Sequence, residues 1–173
     1  MSLSRRELAR FLAGTAALAP AFALAACGFQ PLYGQRSNNE SVAASLASVR
    51  VEPLSDRAGQ QMHNFLRDRL NPTGQPLSPS YRLELRLFET VTELGVLRDE
   101  TATRANLRMS ADFALLNYDG QSPLLAGRSS STTSFDILTN PFATAVSEDD
   151  ARARALRELA DDIETRLALY FSR

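Results

Sequence analysis

Three stretches after residue 80 of this chain alternate with a period of two, and no other feature constrains its fold so tightly. In the first, Tyr81, Leu83, Leu85 and Leu87 fall on one side, with Arg82, Glu84 and Arg86 on the other. In the second, Leu107, Met109, Ala111, Phe113 and Leu115 alternate with Asn106, Arg108, Ser110 and Asp112. The third, from about Leu124 to Phe135, gives one face to Leu125, Gly127, Ser129, Ser131, Thr133 and Phe135. Successive side chains of a strand point to opposite faces, so these segments read as half-buried antiparallel strands. Turn signals separate them: Leu94-Gly95 with Arg98-Asp99, then Tyr118-Asp119-Gly120-Gln121 with Asp-Gly at its centre.

Helical spacing flanks the strands. Ala47-Ser48-Val49-Arg50-Val51 is a short strand ended by Pro53. Asp56 can cap a helix reaching about Leu70, with Met62, Phe65, Leu66 and Leu70 on one face, before the Pro-rich loop 71–80. A second helix is expected from Ser147, which with Asp150 imitates a capping box, to about Tyr170. Its apolar stripe is Leu156, Leu159, Ile163, Leu167 and Tyr170. The order β-α-β-β-β-α predicts an α+β single domain, with two helices packed on one face of a mostly antiparallel four-stranded sheet.

The N-terminus has a different character. A basic head with Arg5, Arg6 and Arg10 precedes an apolar run from Phe11 to Ala26, interrupted by Pro20. That run is short for a membrane span and has the layout of a secretory signal peptide. It ends in Leu24-Ala25-Ala26-Cys27, which resembles the bacterial lipobox. The resemblance implies that residues 1–26 are removed and that Cys27 carries an S-diacylglycerol and an N-acyl chain such as palmitate. Gly28 rather than Asp after the Cys implies sorting to the outer membrane. Removal takes 26 of 173 residues and a net +2 from a net −1, leaving 147 residues at −3. Residues 27–45, polar and small from Gln35 onward, are expected to be the lipidated Cys and a flexible tether, and 46–173 the folded domain. Ser4-Arg5-Arg6-Glu7-Leu8 is also similar to a twin-arginine export signal, so either export route fits.

Composition excludes most chemistry. With one Cys and one His, the chain forms no internal disulfide and lacks the usual zinc-ligand set. Nucleophilic catalysis generally needs a base beside the nucleophile, and His63, the sole His, falls mid-helix next to the core face. Asp149-Asp150 and Asp161-Asp162 are adjacent pairs on one helix, where neighbours diverge and do not converge on an ion. No phosphate loop or metal spacing occurs, so no metal, cofactor or catalytic residue is expected. The near-neutral balance speaks against nucleic acid. All 19 basic residues are Arg, and Arg98, Arg104, Arg108 and Arg128 gather around the hairpin and its neighbouring strand. They are either a solvated strand face or a set of forks for phosphate groups.

Cys27-Gly28-Phe29-Gln30-Pro31-Leu32-Tyr33-Gly34 resembles the mature N-terminus of the lipopolysaccharide-assembly lipoprotein family, LptE, in its alphaproteobacterial form. So do Ser134-Phe135, Asn140-Pro141-Phe142-Ala143, Asp150-Ala151-Arg152 and Leu159-Ala160-Asp161-Asp162-Ile163. The resemblance implies a non-enzymatic outer-membrane subunit that plugs the LptD β-barrel and assists lipopolysaccharide insertion into the outer leaflet. Arg98, Arg104, Arg108 and Arg128 are then candidates for lipopolysaccharide contact. Two other classes compete with this. A periplasmic lipid-binding accessory lipoprotein of an ABC-type transporter would need an apolar cleft between helices and sheet. A lipid-anchored hydrolase would need His63.

Overall fold

The computed structural model describes residues 37–96 and 102–173. The export signal, Cys27, the first part of the tether and Arg98 lie outside the described residues. In chain order the elements are α1 (Ser37–Ala47), β1 (Val49–Val51), α2 (Arg57–Leu70), β2 (Tyr81–Val96), β3 (Ala102–Asn117), β4 (Pro123–Asp136) and α3 (Pro141–Phe171). The strands form one sheet in the order β1-β2-β3-β4, with β1 parallel to β2 and the other pairs antiparallel. This is the expected α+β fold with one helix more than the sequence pattern gave.

The additional helix is α1, in a stretch expected as tether up to residue 45. Ser37-Asn38-Asn39-Glu40-Ser41 carries no apolar periodicity, but Val42 and Leu46 are one turn apart and both are buried. Through them α1 packs on α3. Asn71 ties its C-terminal end down, donating from Nδ2 to the carbonyl of Ala47 at 3.0 Å.

Helix α2 follows the expectation. Asp56 caps it by accepting from the Gly59 amide at 2.5 Å, and Met62, Leu66 and Leu70 point into the core. Phe65 is half-buried instead, with the Arg157 guanidinium 5.8 Å from its ring centroid.

The sheet register lines up Leu83, Leu115 and Leu125 in one row across β2, β3 and β4, and Leu85, Phe113 and Gly127 in the next. Gly127 is small because the Phe113 ring fills its space: a Cβ there would lie 3.0 Å from Cζ. The β3–β4 turn sits one residue earlier than expected. Gly120 donates to the carbonyl of Asn117 at 3.0 Å, so Tyr118-Asp119 is the centre and Gly120 closes the turn. Closing Gly is favoured in type I turns, and a register shift between Leu115 and Leu116 absorbs the offset.

Helix α3 also starts earlier than expected, at Pro141 rather than Ser147. Asn140 Oδ1 accepts from the Phe142 amide at 2.9 Å, and Pro141 occupies the first turn, where its missing N–H costs nothing. Ser147 and Asp150 are therefore interior positions. The buried stripe Leu156, Leu159, Ile163 and Leu167 is as expected, widened by Ala151, Ala155, Ala160 and Ala168. These alanines bring the helix backbone close to β3 and β4. On β4 three successive inward residues, Ser129, Ser131 and Thr133, are hydroxyls, and each finds a partner on α3. Ser129 donates to Asp162 at 2.5 Å, Ser131 to Glu158, and Thr133 to the Ala151 carbonyl at 3.0 Å. A helix-facing polar strand thus keeps its hydrogen bonds satisfied. Among the described residues no helix is long and apolar enough to cross a membrane.

Candidate functional site

Among the described residues, the helices that touch the sheet do so on the side of Leu83, Met109 and Thr133, and no helix lies over the opposite face. Alternation assigns that open face residue by residue. From β2 it receives Arg82, Glu84, Arg86, Phe88, Thr90, Thr92 and Leu94. From β3 come Arg104, Asn106, Arg108, Ser110 and Asp112, and from β4 Arg128, Ser130, Thr132, Ser134 and Asp136. Five Arg stand there against three acids, Glu84, Asp112 and Asp136. In a chain of net charge −1 this face is locally basic.

Of the four sequence-derived candidates, Arg104, Arg108 and Arg128 share this face, and Arg98 lies outside the described residues. Their environments differ. Arg128 forks onto Asp112, Nε–Oδ1 2.5 Å and Nη2–Oδ2 2.9 Å, and stands 5.9 Å from the Phe88 ring centroid. That bidentate bond raises the Arg128 pKa and holds the Asp112 carboxyl below the ordinary carboxylate range, with Arg86 adding a smaller Coulombic pull. Arg104 donates to Asp136 across the β3–β4 pair at 3.2 Å.

Arg108 makes no ion pair among the described residues. The register flanks it with Thr90 and Thr132. Ser110, Ser130, Asn106, Ser134 and Thr92 occupy the next rows, so one guanidinium stands in a field of hydroxyls. Positions four apart on a strand are about 13 Å apart, which sets Arg104, Arg108 and the Arg128–Asp112 pair in a spaced line along the sheet.

Sequence reasoning passed over Arg82 and Arg86. Arg86 lies beside Asp112 in the register, and Arg82 donates to the Gly120 carbonyl at 3.0 Å while pairing with Glu84 at 3.2 Å. The signal was present, since both alternate with the leucines of β2. The Nη1 and Nη2 of Arg82 are thus engaged by Glu84 and by the turn, while its buried Nε has no hydrogen-bond partner among the described residues.

His63 approaches Gln75, with 3.3 Å between the two Nε2 atoms. The acidic pairs on α3 are spent on ion pairs. Asp149 contacts Arg152 and Arg57, Asp150 contacts Arg154, Asp161 contacts Arg69, and Asp162 contacts Arg166. Among the described residues no three His, Cys, Asp or Glu side chains gather as a metal site.

The described residues thus form a two-layer α+β domain with one hydroxyl- and Arg-rich sheet face. The lipopolysaccharide-assembly family, LptE, matches residues 46–167, and the chain belongs to it. An uncharacterised protein of Rickettsia prowazekii (strain Madrid E) is 23% identical over 150 residues, covering 87% of this chain and 92% of that protein. A crystal structure of a Caulobacter crescentus CB15 lipoprotein is 25% identical and superposes with a TM-score of 0.64, covering 76% of this chain and 96% of that one. The rare lipoprotein B of Shewanella oneidensis shares the fold at 12% identity and a TM-score of 0.53, covering 70% of this chain and 92% of that one.

Proposed function

We propose that this protein is an outer-membrane lipoprotein subunit of the lipopolysaccharide export machinery. It is anchored through lipid on Cys27, with residues 1–26 removed as the signal peptide and the residues between Cys27 and α1 serving as the tether. It seats in the LptD β-barrel, plugs it, assists its assembly, and contacts lipopolysaccharide on its way to the outer leaflet. The role is non-catalytic and needs no cofactor.

The observation that carries this reading is the open sheet face of a domain of the LptE family. Its hydroxyl rows match a polar barrel lumen, and its Arg forks match phosphate and saccharide groups. Arg108, without an ion pair among the described residues, is the foremost contact candidate, with Arg104 and Arg128 on the same face and Arg98 as a further candidate. The layer between α3 and the sheet is filled by Leu107, Leu115, Leu156, Leu159 and Ile163, all almost wholly buried. That packing favours a plug over a carrier with an acyl-chain cleft.

The test is detergent extraction of the tagged full-length protein from its own outer membranes. A large β-barrel protein is expected to co-purify in stoichiometric amount. Recovery of the tagged protein alone, with the barrel present in the same membranes, refutes the reading.

A further inference from the structure

Strand β2 is 16 residues long, yet β1 covers only its first three, Tyr81 to Leu83. The pairing ends where Glu52 donates to the Leu83 carbonyl at 3.0 Å, and Pro53 then turns the chain away. Backbone groups of a strand alternate sides. Ser80 accepts from Tyr118 on the β3 side, and Tyr81 donates to Ser48 on the β1 side, so odd-numbered residues of β2 point outward. Beyond Leu83 the N–H and C=O groups of Leu85, Leu87, Glu89, Val91 and Glu93 therefore face away from β3 and have no strand beside them among the described residues. Residues 88–94 are all exposed.

This edge is pre-shaped for a strand. Arg152 on α3 fixes Glu89 with two hydrogen bonds, and the β3 ladder holds the other side from Leu85 to Leu94. Thr90, Val91 and Thr92 are strand-favouring residues, no Pro or bulge interrupts the edge between Leu85 and Glu93, and the helix-side charge between them, Glu89, is held in place by Arg152. An array of alternating donors and acceptors is matched on both counts by another extended backbone.

The side chains narrow the occupant further. On the helix side the edge carries Glu89 and Glu93, with Glu148 and Asp149 clustered about Arg152. Four acids there face two cations, Arg152 and Arg57, and Glu93 makes no ion pair among the described residues. On the other side Phe88, at 45% exposed, and Leu94, at 39%, offer apolar contacts. A second copy is a poor fit, because two-fold antiparallel pairing about Val91 would set Glu89 against Glu93 twice.

We propose that the outer edge of β2, Leu85 to Glu93, is a strand-addition site for an extended segment of a partner protein. That segment presents basic side chains four residues apart to Glu89 and Glu93. The proposal rests on the reading of this protein as a subunit of a membrane complex, and it names how the partner is held.

The test uses the full-length protein in its detergent-extracted complex and again after the partner has been stripped off. Amide hydrogen exchange is read at Leu87, Glu89 and Val91. Slowing by about tenfold or more in the complex is expected, since bonded amides exchange only on opening. In parallel, Val91→Pro removes one outward N–H without touching the β3 ladder, and Pro is tolerated at such edge positions. It is expected to lose the partner while its thermal melting stays close to that of the parent protein. Retention of the barrel with unchanged exchange at the three amides overturns the edge proposal and leaves the complex reading standing. Absence of any barrel overturns both. Protection in the stripped protein, with a dimeric mass, assigns the edge to a second copy and overturns the partner assignment. If Val91→Pro unfolds, the exchange data on the parent protein decide.

Discussion

Arg152 on α3 grips Glu89 on β2 through two hydrogen bonds, Nε–Oε2 2.8 Å and Nη2–Oε1 2.9 Å. Glu148 and Asp149 bind the same guanidinium at 2.6 Å each. The Glu89 bond is the foremost reason that the Arg152 pKa stands well above its ordinary value, so the clasp does not open by deprotonation at any accessible pH. It joins the early turns of α3 to the half of β2 that β1 does not reach. Removing the cation leaves three carboxylates facing one another. Arg152→Ala is expected to cost about 1–2 kcal/mol, between an exposed pair and a buried one. Urea unfolding measures that loss, and Arg152→Lys, which lacks the planar fork, should recover only part of it.

The open face gives a ranking of the Arg candidates. Arg104 and Arg128 are already engaged by Asp136 and Asp112, whereas Arg108 is surrounded by hydroxyls and has no counter-ion among the described residues. Arg108→Ala in the full-length protein is expected to weaken lipopolysaccharide binding by about tenfold or more, the scale of one charge-assisted bond. Arg104→Ala should weaken it less. Titration with fluorescent lipopolysaccharide checks the order, and equal binding by all three proteins removes this face from the contact.

The Arg128 fork makes a spectroscopic prediction. It holds Asp112 below the ordinary carboxylate range, so the carboxylate persists to lower pH than it would alone. A depressed folded-state pKa adds stability above the unfolded value and loses it as pH falls through the folded one. Because both side chains are open to solvent, the change is to be read at the group itself. In Arg128→Ala the Asp112 carboxyl carbon should titrate at higher pH than in the parent protein. An unchanged midpoint contradicts the pairing.

Much of this fold was legible because burial on one face of a strand or helix leaves a period. The leucines of β2, the Leu107-to-Leu115 series and the Leu156-to-Leu167 stripe all kept their predicted sides. What escaped lacked that contrast. Among its described side chains, helix α1 buries two apolar residues, Val42 and Leu46. The first turns of α3 carry Phe142 and Val146 exposed, so no amphipathic face announced the start at Pro141. Of the site, Arg104, Arg108 and Arg128 were found by clustering. Arg82 and Arg86 were missed because their neighbours across the β2–β3 register, Leu116 and Asp112, are far away in sequence. Pairing between strands, not proximity in sequence, assembles that face.

Gly59 supplies a prediction that runs against helix propensity. In a solvated helix Gly→Ala is stabilising by about 1 kcal/mol. Here Gly59 is buried in the first turn of α2, and its amide donates to Asp56. A Cβ would meet Leu54 Cβ at 2.4 Å and Asp56 Oδ1 at 2.7 Å, so either the chain entering the helix or the cap must move. Neither neighbour is the free end of a long side chain, and α2 must stay in place for Met62, Leu66 and Leu70 to remain buried. Gly59→Ala is therefore expected to destabilise by about 1–3 kcal/mol, the range for overpacking. Asp56→Ala, which loses the cap alone, should cost about 1 kcal/mol. If thermal melting shows Gly59→Ala to be neutral or stabilising, the close approach of Leu54 to the helix is wrong, and with it the way the segment after Pro53 leaves the sheet.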